Sequence, residues 1–482
     1  MPSWNTLFIF ALYLYIFVMI IYLLLDNRET ATTLSWLLIF FFLPFVGLVL
    51  YFLLGRGMRP RVKKKLLPQD LENRLHYCNE KLIARQEQEI ENLHAEYDSP
   101  ENRKLIRLLT HNSDSVLTRH NHVQVFFNGE DKFGTLIQDL TAAENYIHME
   151  YFIWQDDSFT EKVVDILQQK VRQGVAVRVL YDVVGNYLSK RYLNRLRKSG
   201  IRIYPYYNFK SLFKIHTLNY RNHRKIIIID GSTGYIGGMN MGEEYIDGGS
   251  RFSTWRDTHI RIQGESVAVL QGVFSVSWSN TTKEILDMKE MVPQTISASS
   301  VTRLQVTTSG PDSQWDSIRQ LYFLLISSAE KFIFIHTPYF IPDASIVMAL
   351  KTAALSGIDV RIMLTGVVDK RIPYWAAQTY LKDLLEAGVS FYYYTKGFMH
   401  AKTIVVDARI CSVGSANLDI RSLELNYEIN ALIYDKDISH KLEHIFYRDM
   451  KSARPFTLAD YNKIHRLKQL RNSLTRLFAP LL

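Results

Sequence analysis

The sequence predicts an α/β protein built from two similar halves, preceded by a pair of apolar helices. A five-residue signature occurs twice at identical internal spacing, and matching strand and helix patterns surround each copy. Two long apolar runs precede both halves. The predicted fold class is therefore α/β, with two α/β units related by pseudo-two-fold symmetry behind an N-terminal transmembrane helical hairpin.

Residues 1–58 are predicted to form two transmembrane helices. The segments Thr6 to Leu25 and Leu34 to Leu54 contain no charged residue, and each is long enough to cross a bilayer. Buried core helices are seldom this long and apolar on every face. No basic n-region precedes the first segment, so a cleaved signal peptide is not expected. Pro44 is expected to kink the second helix.

A basic cluster directly follows the second apolar segment. Its members are Arg56, Arg59, Arg61, Lys63, Lys64 and Lys65. Such clusters flank membrane spans on the cytoplasmic side and attract anionic headgroups. We therefore expect a multi-pass protein of the cell membrane, with the N-terminal Met and the body in the cytoplasm. The net charge of +9 would also suit nucleic acid, but the position of the cluster favours an anionic membrane surface as partner.

The remaining chain is divided into a charged, mostly helical connector at 59–118 and two units at 119–298 and 299–482. The repeat between these units is wider than the signature, since "AENYIHMEYFIW" is echoed by "AEKFIFIHTPYFIP" and "GVAVRVLYDVVG" by "GIDVRIMLTGVVD". Each unit is predicted to run strand, helix, strand, helix, strand and then the His-x-Lys strand. The last stretch, Lys463 to Leu482, is predicted as an amphipathic helix that either lies on a membrane or packs on the body.

The repeated signature combines residue types that bind and attack phosphate. Its two copies are His223, Lys225, Asp230, Gly237, Asn240 and His400, Lys402, Asp407, Gly414, Asn417. An apolar run follows each His-x-Lys, as in a buried strand, so the His and Lys side chains share one face. A histidine near its pKa serves as nucleophile or proton carrier. Neither half holds two such histidines, so catalysis is predicted to need the two halves facing each other.

An asparagine amide completes each predicted phosphate site. Asn240 and Asn417 are expected to donate hydrogen bonds to phosphate oxygens beside the two lysines. Asp230 and Asp407 end the two apolar runs. We place both aspartates among the candidate catalytic residues, while a role restricted to fixing the strand-ending turn stays open.

Metal and disulfide chemistry is not indicated by the cysteines. Cys78 and Cys411 lie far apart and lack metal-ligand spacing. No cluster of ligand residues surrounds either signature. We therefore predict that the reaction needs no metal and no other cofactor.

The double His-Lys-Asp motif resembles that of the phospholipase D superfamily. Over nearly the whole chain, including "NHRKIIIIDGSTGYIGGMN", "WRDTH" and "HAKTIVVDARICSVGSANLDIRSLELNYE", the sequence is similar to bacterial cardiolipin synthases. The resemblance implies two phospholipase D-like α/β/α units with the active site at their junction. The resemblance also implies that Ser415 binds the substrate phosphate. One departure is Gly238, which stands where the superfamily usually has the serine seen at Ser415, so the two halves of the phosphate site are unequal.

The resemblance also implies individual roles. It suggests His223 as the nucleophile that forms a covalent phosphatidyl-histidine, and His400 as the general acid and base. Asp257 and Glu428 are expected to bond the far ring nitrogen of His223 and His400, respectively, and so hold each tautomer. Each carboxylate is alternatively an ordinary ion-pair residue.

The function implied is phospholipid biosynthesis by a transferase. A cardiolipin synthase would move the phosphatidyl group of one phosphatidylglycerol onto another, giving cardiolipin and glycerol. The residues themselves leave open a hydrolytic phospholipase D or another phosphatidyltransferase, and they do not decide the oligomeric state. They also leave open a membrane-tethered nuclease and a noncatalytic membrane scaffold. The hydrophobic hairpin argues against nucleic acid as partner, and two complete signatures argue against the scaffold.

Overall fold

The computed structural model of the protein describes most of the body and part of the N-terminal segment. The described residues are 4–25, 30–43, 45–47, 51, 99–186, 188–206, 219–287, 301–477 and 479. They divide into two compact units. One contains the N-terminal helices and Asn219, and the other contains the rest of the body from Ser99 onward. Pro44, the basic cluster and residues 59–98 of the predicted connector lie outside the described residues.

Two helices form the described part of the N-terminal unit, α1 (Trp4–Leu25) and α2 (Thr30–Phe42). They belong to one apolar cluster that includes Ile16 and Leu23 of α1 and Phe40 of α2. Among the described residues, no helix combines the length and the apolar character of a membrane span. The transmembrane hairpin stays a prediction.

The first half of the body is an open sheet with helices on both faces. Two elements precede it in the chain, α3 (Pro100–Ser113) and β1 (Leu117–Thr118). Both pack with the second half, since β1 pairs with the strand Arg303–Ser309 and Leu109 of α3 lies in that half's apolar core. The elements of the first half are β2 (Asn121–Phe126), α4 (Gly129–Ala142), β3 (Tyr146–Tyr151), α5 (Ser158–Arg172), β4 (Ala176–Tyr181), α6 (Lys190–Lys198), β5 (Arg202–Pro205), β6 (Lys225–Ile229), β7 (Thr233–Gly237), α7 (Glu244–Asp247), β8 (Trp255–Arg256), β9 (His259–Gly264) and α8 (Ser266–Thr282). The described strands of the sheet have the order β2, β9, β7, β6, β3, β4, β5. Strands β3, β4 and β5 are parallel, and β6 is antiparallel to β3.

The second half repeats this arrangement with a longer sheet. Its elements are β10 (Arg303–Ser309), α9 (Ser317–Ser327), β11 (Phe332–His336), β12 (Phe340–Ile341), α10 (Ala344–Leu355), β13 (Asp359–Thr365), α11 (Arg371–Glu386), β14 (Ser390–Tyr394), β15 (Phe398–Met399), β16 (Thr403–Val406), β17 (Ile410–Gly414), β18 (Leu418–Asp419), α12 (Ile420–Glu424), β19 (Glu428–Tyr434), α13 (Lys436–Met450), β20 (Ala453–Phe456), α14 (Leu458–Asn462) and α15 (Arg466–Arg476). The described strands have the order β1, β10, β19, β17, β16, β11, β13, β14, β20. The predicted alternation of strands and helices is confirmed in both halves.

A shared apolar layer joins the two sheets. Ile226 and Ile236 of the first sheet lie in the same buried cluster as Val405, Val413 and Ile429 of the second. Helices α8 and α13 contribute to this cluster as well. Separate clusters cover the outer face of each sheet with the helices of its own half. The inner strands β6 and β16 are therefore held in one rigid core, which fixes the position of both His-x-Lys segments.

Candidate active site

The two His-x-Lys segments lie at equivalent ends of β6 and β16. Each histidine is anchored to the opposite half through its backbone. The N–H of His223 donates to the carbonyl of Tyr427 at 3.0 Å, and the N–H of His400 donates to the carbonyl of Arg256 at 2.7 Å. The parallel pairing of β8 with β15 reinforces the second of these contacts. The junction between the halves therefore positions both histidines.

The orienting carboxylates are exchanged between the halves. Nδ1 of His223 lies 2.9 Å and 3.0 Å from the two carboxylate oxygens of Glu428, and Nδ1 of His400 lies 2.7 Å from Oδ2 of Asp257. The prediction named the correct two carboxylates but paired each with the wrong histidine. The reason is that each carboxylate lies at the junction, where the nearest imidazole belongs to the other half.

Burial and charge set the protonation of these pairs. Burial lowers the pKa of both His223 and His400, so both imidazoles are neutral near pH 7. Burial opposes ionisation of the carboxylates, but the adjacent His400 and His223 hold the pKa of Asp257 and of Glu428, respectively, below their usual values. An ionised carboxylate only accepts hydrogen bonds, so each Nδ1 carries the proton. The lone pair of each imidazole then lies on Nε2.

Two buried ammonium groups accompany the histidines. Lys225 and Lys402 are almost fully buried, and each Nζ donates to the backbone carbonyl of the histidine two residues before it. Burial lowers the pKa of Lys225 to about 7 and that of Lys402 to about 8. The positive charge of Lys402 also helps to lower the pKa of Lys225. The two lysines, one from each half, therefore lie close together. An anionic ligand would favour the charged form of both lysines.

The difference between Gly238 and Ser415 follows from the lengths of the two carboxylates. Ser415 Oγ donates to Glu428 and accepts from the N–H of Ile429 at 3.0 Å. A Cβ atom at Gly238 would lie 2.1 Å from Oδ1 of Asp257. The shorter aspartate occupies the space that a serine side chain would need, so the first half requires glycine here. Ser415 supports an orienting carboxylate directly, and its predicted contact with phosphate stays a prediction.

The two asparagines have different surroundings. Asn240 accepts from the N–H of Ile153 and donates to the hydroxyl of Tyr245, both at 3.2 Å. Asn417 is buried, and its Oδ1 has no hydrogen-bond partner among the described residues. Asn240 is thus fixed by the first half, with only one of its two amide hydrogens committed. Phosphate binding by either asparagine stays a prediction.

Asp230 and Asp407 lie away from the histidines, at the far ends of β6 and β16. Both have left-handed backbone angles, with φ of 51° and 52°. The carboxylate of Asp230 accepts three backbone N–H groups at the start of β3, at 2.7–2.8 Å, and Asp407 does the same at the start of β11, at 2.8–2.9 Å. The prediction that they are catalytic was wrong, because each carboxylate is used to join two strands.

Aromatic side chains that sequence reasoning did not select line the site. The ring of Phe152 packs edge-on against His223, with centroids 4.8 Å apart, and Trp255 lies 5.1 Å from His400. The indole N–H of Trp255 also donates to Asp257 at 3.4 Å. Trp255 stands two residues before Asp257 in "WRDTH", and this proximity was the available signal. Phe152 carried no such signal, since it lies far from the signature in sequence.

The arrangement suits nucleophilic substitution at a phosphodiester. It provides two neutral imidazoles with oriented tautomers and two cations for the phosphate oxygens. No group of three potential metal ligands is found in the part of the chain that the structure describes. The carboxylates of Glu428 and Asp257 are each bonded to a histidine, and two ammonium groups lie nearby, so this set of donors is poorly suited to a cation. Metal independence stays a prediction.

Comparisons with known proteins agree with this chemistry. A family model described as "Cardiolipin synthase, PLD-like domain" matches residues 136–262 and 322–450, and one described as a phospholipase D-nuclease N-terminal segment matches residues 11–56. The chain is 40% identical over 469 residues to the major cardiolipin synthase ClsA of Bacillus subtilis, with 96% of each chain covered. It is 36% identical over 481 residues to a cardiolipin synthase of Listeria monocytogenes, with 99% of each covered.

A solved structure supports the fold. The phosphatidylserine synthase of Haemophilus influenzae matches with a TM-score of 0.58 and 15% identity, covering 79% of this chain and all of that one. At this identity the likeness concerns the fold alone, and it agrees with the two repeated α/β units described above.

Proposed function

The chain belongs to the cardiolipin synthase family of phospholipase D-like proteins, and on this premise we propose that it converts two molecules of phosphatidylglycerol into cardiolipin and glycerol. The observation that carries the proposal is the pair of buried histidines, each with Nδ1 bonded to a carboxylate of the other half. One nucleophile and one proton carrier suffice for two successive displacements at the same phosphorus.

In the first displacement, Nε2 of His223 attacks phosphorus and the bond to the glycerol headgroup breaks. The leaving oxygen takes a proton from His400, and glycerol departs. A bound phosphate anion raises the pKa of His400, which allows this neutral imidazole to be protonated when substrate is present. Lys225 and Lys402 stabilise the charge on the nonbridging oxygens. The product of this step is phosphatidyl bound to His223.

In the second displacement, the hydroxyl of another phosphatidylglycerol attacks the same phosphorus. Its proton passes to His400 as the bond between phosphorus and His223 breaks, so the enzyme returns to its starting state. Water in place of the lipid hydroxyl would give phosphatidic acid instead. The family membership supports the lipid acceptor.

Residence in the bacterial cell membrane accords with a lipid donor and a lipid acceptor. Two observations support an N-terminal hairpin that crosses the membrane twice with the body in the cytoplasm. The family model for the N-terminal segment covers both apolar runs in large part, and the basic cluster lies directly behind them.

The direct test uses purified full-length protein in detergent micelles with phosphatidylglycerol. Cardiolipin and glycerol should form in equal amounts with EDTA present, and His223→Ala and His400→Ala should each abolish both. Phosphatidic acid as the main product would identify a hydrolase. Cleavage of DNA without lipid conversion would identify a nuclease, and loss of activity with EDTA would overturn the metal-free mechanism.

A further inference from the structure

Helix α15 (Arg466–Arg476) is attached to the body by only one of its faces. The guanidinium of Arg471 lies 4.1 Å from the ring of Trp375, and that of Arg476 lies 4.5 Å from the ring of Tyr380. Both aromatic residues belong to α11 (Arg371–Glu386), and Asn472 is buried beside them. The face that holds α15 in place is therefore polar and cationic.

The other face of α15 presents leucines to solvent. Leu467, Leu470 and Leu474 of this helix and Leu477 just after it are 54–76% exposed. At about 100° per residue, these four positions fall within an arc of roughly 80°. Single exposed leucines are common, but four in one stripe form a continuous apolar strip. The helix is thus oriented opposite to an ordinary surface helix, with its apolar side facing outward.

The charge of α15 indicates what covers this strip. The helix contains Arg466, Lys468, Arg471 and Arg476 and no acidic residue. A second copy of the chain is disfavoured, since a symmetric contact would bring two cationic helices together. By the same helical angle, the exposed Arg466 lies roughly 20° from the edge of the strip. An apolar strip beside a cation, on a helix without acidic residues, instead matches the boundary between anionic headgroups and acyl chains.

We propose that α15 docks the body onto an anionic lipid bilayer, with the leucine strip (Leu467, Leu470, Leu474 and Leu477) buried among the acyl chains and the exposed Arg466, beside the strip, among the headgroups. The contact with α11 then fixes the orientation of the body on the bilayer surface. This proposal concerns the C-terminal helix and does not depend on the reaction at the active site.

Site-specific fluorescence tests the contact on the full-length protein. Single cysteines at Leu474 and at Lys468, which is exposed on another side of the helix, are labelled with an environment-sensitive dye in a Cys78→Ser, Cys411→Ala background. The protein is reconstituted in vesicles of phosphatidylcholine alone or with equal parts of phosphatidylglycerol. The dye at position 474 should shift to the blue and be quenched by nitroxide lipids in the anionic vesicles, and the dye at 468 should not.

Two results would overturn the proposal. One is a dye at position 474 that stays exposed to water in anionic vesicles. The other is a blue shift that needs no lipid and grows with protein concentration in detergent, which would identify contact with a second copy.

A functional measurement uses the double variant Leu470→Gln, Leu474→Gln. Its matched control is Leu355→Gln, since Leu355 is 74% exposed but lies on α10, outside the strip. The double variant should lose several-fold activity on phosphatidylglycerol in bilayers and keep wild-type activity in mixed micelles, while the control keeps both. Equal loss in both media would contradict a role in docking. This measurement rests on the proposed function, whereas the fluorescence does not.

Discussion

At the scale of single residues, the site consists of contacts that cross between the halves. Glu428 orients His223 and Asp257 orients His400, and backbone carbonyls of the opposite half hold both histidines. Neither half contains a complete set of groups for the two displacements. The pairing of Asp257 with His400 also explains Gly238. The Asp257 carboxylate fills the space that a side chain at position 238 would need.

The buried lysines predict how activity depends on pH. Burial lowers the pKa of Lys225 to about 7 and that of Lys402 to about 8, so each ammonium is present below these values and lost as pH rises through them. We expect kcat/KM for phosphatidylglycerol to fall above about pH 7–8. Bound phosphate stabilises the ammonium forms, so the alkaline fall in kcat should lie at higher pH. Initial rates over a pH series give both profiles, and identical flat profiles to pH 9 would contradict this assignment.

Gly238→Ala should displace Asp257 and so release His400. We expect kcat to fall about 10-fold or more, because orientation of the proton carrier is lost. Gly272→Ala is the control, since a Cβ there would meet no atom within 4 Å. Steady-state kinetics and thermal unfolding should be measured together. An unchanged kcat in Gly238→Ala would mean that catalysis does not depend on the position of the Asp257 carboxylate beside His400.

At the scale of elements, the same strand and turn are used twice. Strands β6 and β16 each begin beside a His-x-Lys pair and end in a left-handed aspartate that binds the start of a neighbouring strand. The sequence allowed these strands to be predicted, because an apolar run and a polar stop are local signals. The three backbone partners of Asp230 and Asp407 could not be predicted, since they lie many residues earlier in the chain.

Asp407→Ala should reduce stability more than chemistry. Three backbone N–H groups would lose their acceptor, which should lower the free energy of unfolding by about 2 kcal/mol or more. Asp383→Ala, at an exposed ion pair with Lys351, should have little effect. Thermal unfolding of the two purified variants checks this difference. If Asp407→Ala unfolds like the wild type but has no activity, the catalytic interpretation of Asp407 would return.

At the scale of the whole molecule, the repeat predicted two half-sites but not how they combine. The family resemblance pointed to Asp257 and Glu428, yet it led to each being assigned to the wrong histidine. The separation of these residues along the chain does not tell which carboxylate meets which histidine. The pairing depends on how the two sheets pack through their shared core. The exposed leucine strip of α15 was also hidden, since helical spacing alone does not tell which face the body covers.

The topology of the chain gives a prediction at this scale. In a background without Cys78 and Cys411, a cysteine at Asn27 should react with an impermeant maleimide in intact cells, and one at Pro68 should not. The reason is the basic cluster that follows the second apolar run, because such clusters stay on the cytoplasmic side of the membrane. Pro68 lies just after this cluster, whereas Asn27 lies in the turn between the two runs. The opposite labelling pattern would place the body outside the cell.

The central claim is that the halves exchange carboxylates, with His223 as nucleophile and His400 as proton carrier. Its most direct test is the first turnover on a phosphatidyl ester of p-nitrophenol, a leaving group that departs without protonation. His400→Ala and Asp257→Asn should keep the burst of nitrophenolate, while His223→Ala and Glu428→Gln should slow it by about 10²-fold or more. Glu443→Gln, which alters an exposed carboxylate–histidine pair with His440, is the control and should behave as wild type. If Asp257→Asn instead loses the burst together with His223→Ala, and Glu428→Gln keeps it, the crossed arrangement is wrong.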